Sequence, residues 1–107
     1  MTQDKSRRQQ LEEMLAEEPN DAFLRYGLAM EYVSEGNDEQ AARCFQELFQ
    51  ATPDYIPAYQ QAGQAFVRLG RPTEAADVLR NSAAAARKQG EFHAAEEMEA
   101  LLTSLGN

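Results

Sequence analysis

The chain has little with which to cross-link itself or to hold a metal. Cys44 is its only cysteine in 107 residues, which excludes an internal disulfide and any structural zinc site needing two thiolates from this chain, and which fits a reducing compartment. Tryptophan is absent and valine occurs only at 33, 67 and 78. Residues that favour strands are therefore scarce, while Ala, Glu and Gln, which favour helix, are abundant. No apolar run approaches membrane-spanning length, and the first residues carry charge with no apolar stretch behind them, so the expected location is cytoplasmic. Positive charge is also short: 10 Lys and Arg stand against 18 Asp and Glu, a formal charge of −8. Such a field repels phosphate backbones and anionic headgroups, so neither nucleic acid nor membrane is the expected partner, whereas a basic peptide or protein would be steered inwards. The plainer role of those acids is to solvate helix faces.

Helical periodicity is what the chain does have. Within 6–18, Leu11, Met14 and Leu15 recur three to four apart, with Arg8, Glu12, Glu13 and Glu17 around them, which predicts a short amphipathic helix stopped by Pro19. Asn20 or Asp21 caps the next, over 21–34, where Phe23, Tyr26, Met30 and Val33 are in period. Gly27 inside it costs about 0.5–1 kcal/mol relative to alanine, which calls for a close helix crossing. Gly36-Asn37-Asp38 ends one helix and caps another, with Gln40 placed as in a capping box. The stripe of 38–51 is Ala41, Cys44, Phe45, Leu48 and Phe49, closed by Thr52-Pro53-Asp54. A further helix carries Tyr55, Ile56, Tyr59, Ala62, Gly63, Phe66 and Leu69 in period, with Pro57 tolerated in its first turn. After Gly70-Arg71-Pro72, Ala75, Ala76, Val78, Leu79, Ser82, Ala83 and Ala86 mark a helix over 73–89. The last, 91–105, shows Phe92, Ala95, Met98, Leu101, Leu102 and Leu105 on one side and glutamates largely on the other, with Gly106 as terminator. Short connectors throughout predict one compact all-α domain over 1–107.

A repeat underlies these helices. Phe23-x2-Tyr26-Gly27-x2-Met30, Ala41-x3-Phe45 and Pro53 are followed by Tyr59-x2-Ala62-Gly63-x2-Phe66 and Ala75-x3-Leu79, a helix–turn–helix unit of about 34 residues. Aligned in this way, Gly27 and Gly63 lie 36 apart, whereas Ala41 and Ala75, Gly36 and Gly70, and Pro19 and Pro53 lie 34 apart. A tighter entry after Pro19 and a longer turn around 34–38 are thus expected in repeat one. Repeat two lacks its closing proline, since Arg87 stands there, and its second helix is expected to run on to Gln89.

The pattern resembles the tetratricopeptide repeat. That resemblance implies an α-solenoid of antiparallel helix pairs: an N-terminal helix over 6–18, repeat one over 20–53, repeat two over 54–89 and a C-terminal capping helix over 91–105. The end helices would stand in for half repeats, each burying several apolar side chains at about 1.5–3 kcal/mol apiece.

The resemblance also implies a non-catalytic protein–protein interaction module that binds a peptide or protein segment in a concave groove lined by the first helix of each repeat. Counted from Phe23 and Tyr59, the groove positions are Leu24, Leu28, Glu31 and Tyr32, then Gln60, Gln64, Val67 and Arg68. This mixture suits a segment with apolar anchors. Family members that clamp a chaperone's terminal carboxylate want Lys and Asn where Leu24 and Leu28 stand, so such tails are not expected ligands. The alternative is that these apolar residues meet a terminal helix or a second copy, giving a homo-oligomer formed through the groove or an end helix. No enzyme activity, cofactor or metal is expected. His93 and Glu97 offer too few ligands, Cys44 reads as a packing residue, and the glycines sit at helix ends and crossings rather than in a phosphate loop.

Overall fold

The computed structural model describes residues 5–105. They form α1 (Arg7–Glu17), α2 (Ala22–Ser34), α3 (Asp38–Ala51), α4 (Ile56–Arg68), α5 (Pro72–Lys88) and α6 (Phe92–Ser104), with no strand among them. Gly106, the expected terminator of the last helix, lies outside the described residues. No helix among the described residues is long and apolar enough to cross a membrane.

Local chemistry sets the helix starts. Ser6 and Gln9 form a reciprocal capping box at α1, Asp21 rather than Asn20 takes the Leu24 N–H at 3.0 Å, and Asn37 takes that of Gln40 at 3.2 Å; each satisfies a donor the helix leaves free. α4 and α5 have no side-chain cap and place a proline in the first turn instead, where a missing N–H costs nothing.

Two kinds of turn join the helices. After α2, α4 and α5 the chain reverses on Gly36, Gly70 and Gly90, with φ of 77°, 74° and 77°, a left-handed geometry in which glycine has no Cβ to clash. At these turns the glycine N–H returns to the carbonyl of Val33, Val67 or Arg87, and the next N–H returns to Tyr32, Phe66 or Ala86, the Schellman arrangement. After α1 and α3 the chain instead takes a proline turn through 18–21 and 52–55.

These lengths fix the register of the repeat and correct the alignment expected from the motif. α2 and α4 are both 13 residues long and start 34 residues apart, as do α3 and α5. The connectors match as well, so repeat one has neither a tighter entry nor a longer turn. Arg25 Nε donates to the Pro19 carbonyl at 2.9 Å and the Tyr59 hydroxyl donates to the Pro53 carbonyl, each reaching six residues back. Arg25 therefore holds the place of Tyr59, and Leu28, Ala29 and Tyr32 hold those of Ala62, Gly63 and Phe66. The motif's opening aromatic is an arginine in repeat one, while Phe23 and Gly27 supply an aromatic and a glycine two residues early. Phe23 is 70% exposed. Gly27 faces α1 at ordinary contact distance, a Cβ there lying 3.4 Å from Leu11 Cδ2, so the tight crossing expected of a helical glycine is found at Gly63 instead.

The end helices continue the array. Leu11, Phe45 and Leu79 follow one another at the 34-residue period and all are buried, so α1 is the second half of a preceding unit. With no proline to stop it, α5 reaches 17 residues against 14 for α3, and α6 starts two residues later than the period would place it. Its buried row, Ala95, Met98 and Leu102, then matches Tyr59, Ala62 and Phe66. Phe49 stacks on Tyr59 at 3.9 Å between α3 and α4, and the buried Ser82 hydroxyl donates to the Met98 sulfur between α5 and α6. Each helix packs mainly on its neighbours in sequence. The radius of gyration, 14.7 Å, exceeds the roughly 13 Å of a compact domain of this length, as a one-dimensional stack requires.

Candidate interaction cleft

On α4, Gly63, Gln64, Val67 and Arg68 fall on one face, and Leu101 and Ser104 of α6 do the same together with the C-cap Leu105. The two faces bound an open cleft of about 260 Å³ floored by Leu79 of α5. Val67 stands at its mouth, 46% exposed. The equivalent interval between α2 and α4 is filled: Phe45 occupies the place of Leu79, Ala29, Ala62 and Ala65 lie in its cluster, and Met30 and Val33 pack against them. Repeat two has leucine for that phenylalanine and glycine for Ala29. The space a Cβ at residue 63 would take is occupied by Leu79 itself, so the open cleft goes with the smaller side chain at 79 and the two-residue delay of α6.

The rim is held in place by its neighbours. Arg68 donates from Nη2 and Nε to the Asp38 carboxylate at 2.9 and 3.0 Å. These hydrogen bonds raise the guanidinium pKa and tie the end of α4 to the start of α3, so the Arg68 charge is matched within the chain. About two turns back along the same two helices lies a second hollow of about 280 Å³, between Ile56, Pro57 and Gln60 of α4 and Glu91, Ala94, Glu97 and Met98 at and beyond the start of α6.

Reactive groups lie apart from both hollows or stand alone. Burial pushes the Cys44 thiol from 9.0 up to about 11, so it is a protonated packing group at neutral pH. His93 Nε2 lies 3.8 Å from Glu97, and no group of three or more metal-ligating side chains forms among the described residues.

The profile of the tetratricopeptide repeat family matches residues 8–65, from within α1 through most of α4. This chain belongs to the tetratricopeptide repeat family. A TPR repeat-containing protein of Pseudomonas aeruginosa is 32% identical over 95 residues, which are 89% of this chain and 90% of that one. The solution structure of a tetratricopeptide repeat domain protein from Salinibacter ruber superposes with a TM-score of 0.76 at 31% identity, covering 81% of this chain and 88% of the other. A protein from Bordetella parapertussis superposes with a TM-score of 0.81 over 96% of this chain and 90% of its own, at 22% identity, a likeness of fold alone.

Within the tetratricopeptide array, the groove residues expected from sequence separate into two groups. Gln64, Val67 and Arg68 line the cleft and Gln60 the second hollow. The repeat-one set does not join them. Glu31 pairs with Arg7 of α1 at 3.4 Å, the Tyr32 hydroxyl donates to Glu12 of α1 at 3.4 Å, and the Arg8 guanidinium lies 5.5 Å from the Tyr32 ring centre. Leu24 is only 8% exposed and Leu28 is half-buried. A register error of two residues turns a position by about 200° around a helix, nearly to the opposite face. The repeat-one counterparts of Gln60, Gln64, Val67 and Arg68 are Tyr26, Met30, Val33 and Ser34, and Tyr26 lies against Tyr55 at 5.6 Å. Sequence reading missed Leu79, Leu101, Ser104 and Leu105; continuing the groove positions into α6 with its two-residue delay gives Glu96, Ala100, Thr103 and Ser104, of which only Ser104 lines the cleft.

Proposed function

We propose that this tetratricopeptide repeat protein binds a segment of another protein in the α4/α6 cleft and performs no catalysis. Membership of the family supports the class of function, because tetratricopeptide repeats are in general protein–protein interaction modules. The observation that carries the site is the open cleft walled by Val67, Leu101 and Leu105 above the buried Leu79 and edged by Gln64, Arg68 and Ser104. Apolar lining with a few placed polar groups is what a buried anchor side chain requires. The charge of −8 disfavours nucleic acid and anionic lipid as ligands.

Selection of displayed random peptides on the full chain tests the site, run beside Val67→Glu and Leu101→Glu variants whose helicity is intact by circular dichroism. Wild type should enrich a peptide family that both variants lose. Retention of the same peptides by both variants would place binding elsewhere. Self-association is the second reading, favoured by Met14 and Phe23, 49% and 70% exposed beside one another around a hollow at the α1/α2 end. It requires a mass in solution that rises with concentration and falls back in Phe23→Ser.

A further inference from the structure

The two hollows between α4 and α6 follow one another along the same pair of helices, and their rims differ in charge. At the second hollow, near the start of α6, Glu91 and Glu97 stand over Ile56, Pro57 and Met98. Among the described residues neither has a lysine or arginine partner; Glu97 has only the His93 ring at 3.8 Å. At the open cleft the walls are Val67, Leu101 and Leu105, and the one cation, Arg68, is bonded to Asp38. The furrow thus runs from an unmatched double negative charge to an apolar cleft whose one charge is matched, within a chain of net charge −8 that adds to the field at the acidic end.

From this gradient, and resting on the cleft reading above, we infer that the partner is an extended segment bearing a lysine or arginine at one end and a large apolar side chain at the other. The basic group sits between Glu91 and Glu97 and the apolar one between Val67, Leu101 and Leu105, above Leu79. Each hollow holds a side chain or two, not a helix of about 10 Å diameter. From Gln60 to Val67 is seven residues of helix, about 10 Å at 1.5 Å per residue, which an extended chain covers in about three residues at roughly 3.3 Å each. The recognised pattern is therefore a basic residue about three positions from Leu, Ile, Met or Phe.

The peptides selected on wild type supply the probe. They should carry that spacing, and the strongest, made synthetically, should bind wild type several-fold more weakly as salt is raised. Glu91→Lys with Glu97→Lys should weaken it about tenfold and, when selected on afresh, should lose the basic preference while keeping the apolar anchor. Glu17→Lys with Glu18→Lys changes net charge equally at the other end of the molecule and should leave affinity nearly unchanged. Selected peptides without basic residues, or an equal loss in both double variants, would overturn the charge inference while leaving the cleft in place. Binding that survives Val67→Glu, or no enrichment by wild type at all, would instead remove the cleft reading beneath it.

Discussion

Gly63 and Leu79 touch across the α4–α5 hairpin so closely that a Cβ on residue 63 would lie 2.9 Å from Leu79 Cδ2 and 3.0 Å from Cγ. Gly27 has more room, 3.4 Å to the nearest Leu11 atom. Alanine in place of a helical glycine gains about 0.5–1 kcal/mol, and overpacking costs about 1–3 kcal/mol. Gly27→Ala should therefore raise the urea midpoint and Gly63→Ala should lower it. The reverse order would show that Leu79 yields freely into the cleft.

The contrast between Phe45 and Leu79 predicts a filling mutation. Leu79→Phe should extend into the α4/α6 cleft as Phe45 fills the preceding interval, the space beyond Leu79 keeping the cost no greater than that of overpacking, about 1–3 kcal/mol. Peptide binding should be lost although the fold is intact. Full binding by a folded Leu79→Phe protein would show that the floor is not where the anchor sits.

Cys44 gives a pH dependence whose sign follows from its burial. Its folded-state pKa is raised from 9.0 to about 11, so its contribution to stability is fully present below pH 9 and is lost as pH rises towards 11. Buried tyrosines, among them Tyr59, are shifted upwards by the same cause and act in the same direction. The difference between wild type and Cys44→Ala isolates the thiol: denaturant melts should converge for the two proteins at lower slope against pH in the variant. The native thiol should also resist alkylation at pH 8 until the chain is unfolded.

α6 should be indispensable. Met98 and Leu102 close a cluster with Tyr59, Ala76, Leu79 and Ala83, and each large side chain contributes about 1.5–3 kcal/mol when buried. Removal of residues 91–107 should abolish the cooperative thermal transition or cause aggregation. An undiminished, cooperative melt of the truncated chain would show α6 to be an appendage.

Most helix boundaries were legible because glycine and proline punctuate them: Gly36, Gly70 and Gly90 mark one kind of turn and Pro19 and Pro53 the other. Register in repeat one was not, because Arg25 reproduces the hydrogen bond of Tyr59 without being aromatic, and Phe23 offers a decoy. The cleft was half legible for a related reason. Val67 and its neighbours follow from the correctly read repeat two, but the opening depends on a volume difference between Phe45 and Leu79 and on the two-residue delay of α6, neither of which is visible until the helices are placed.

The most direct test of the cleft is backbone amide NMR of the full chain titrated with the strongest selected peptide. Shift changes concentrated on Gln64, Val67, Leu101 and Leu105, with little change at Met14 and Phe23, are the expected result. Changes centred instead on Met14, Phe23 and Leu24, with α4 and α6 unmoved, would contradict it.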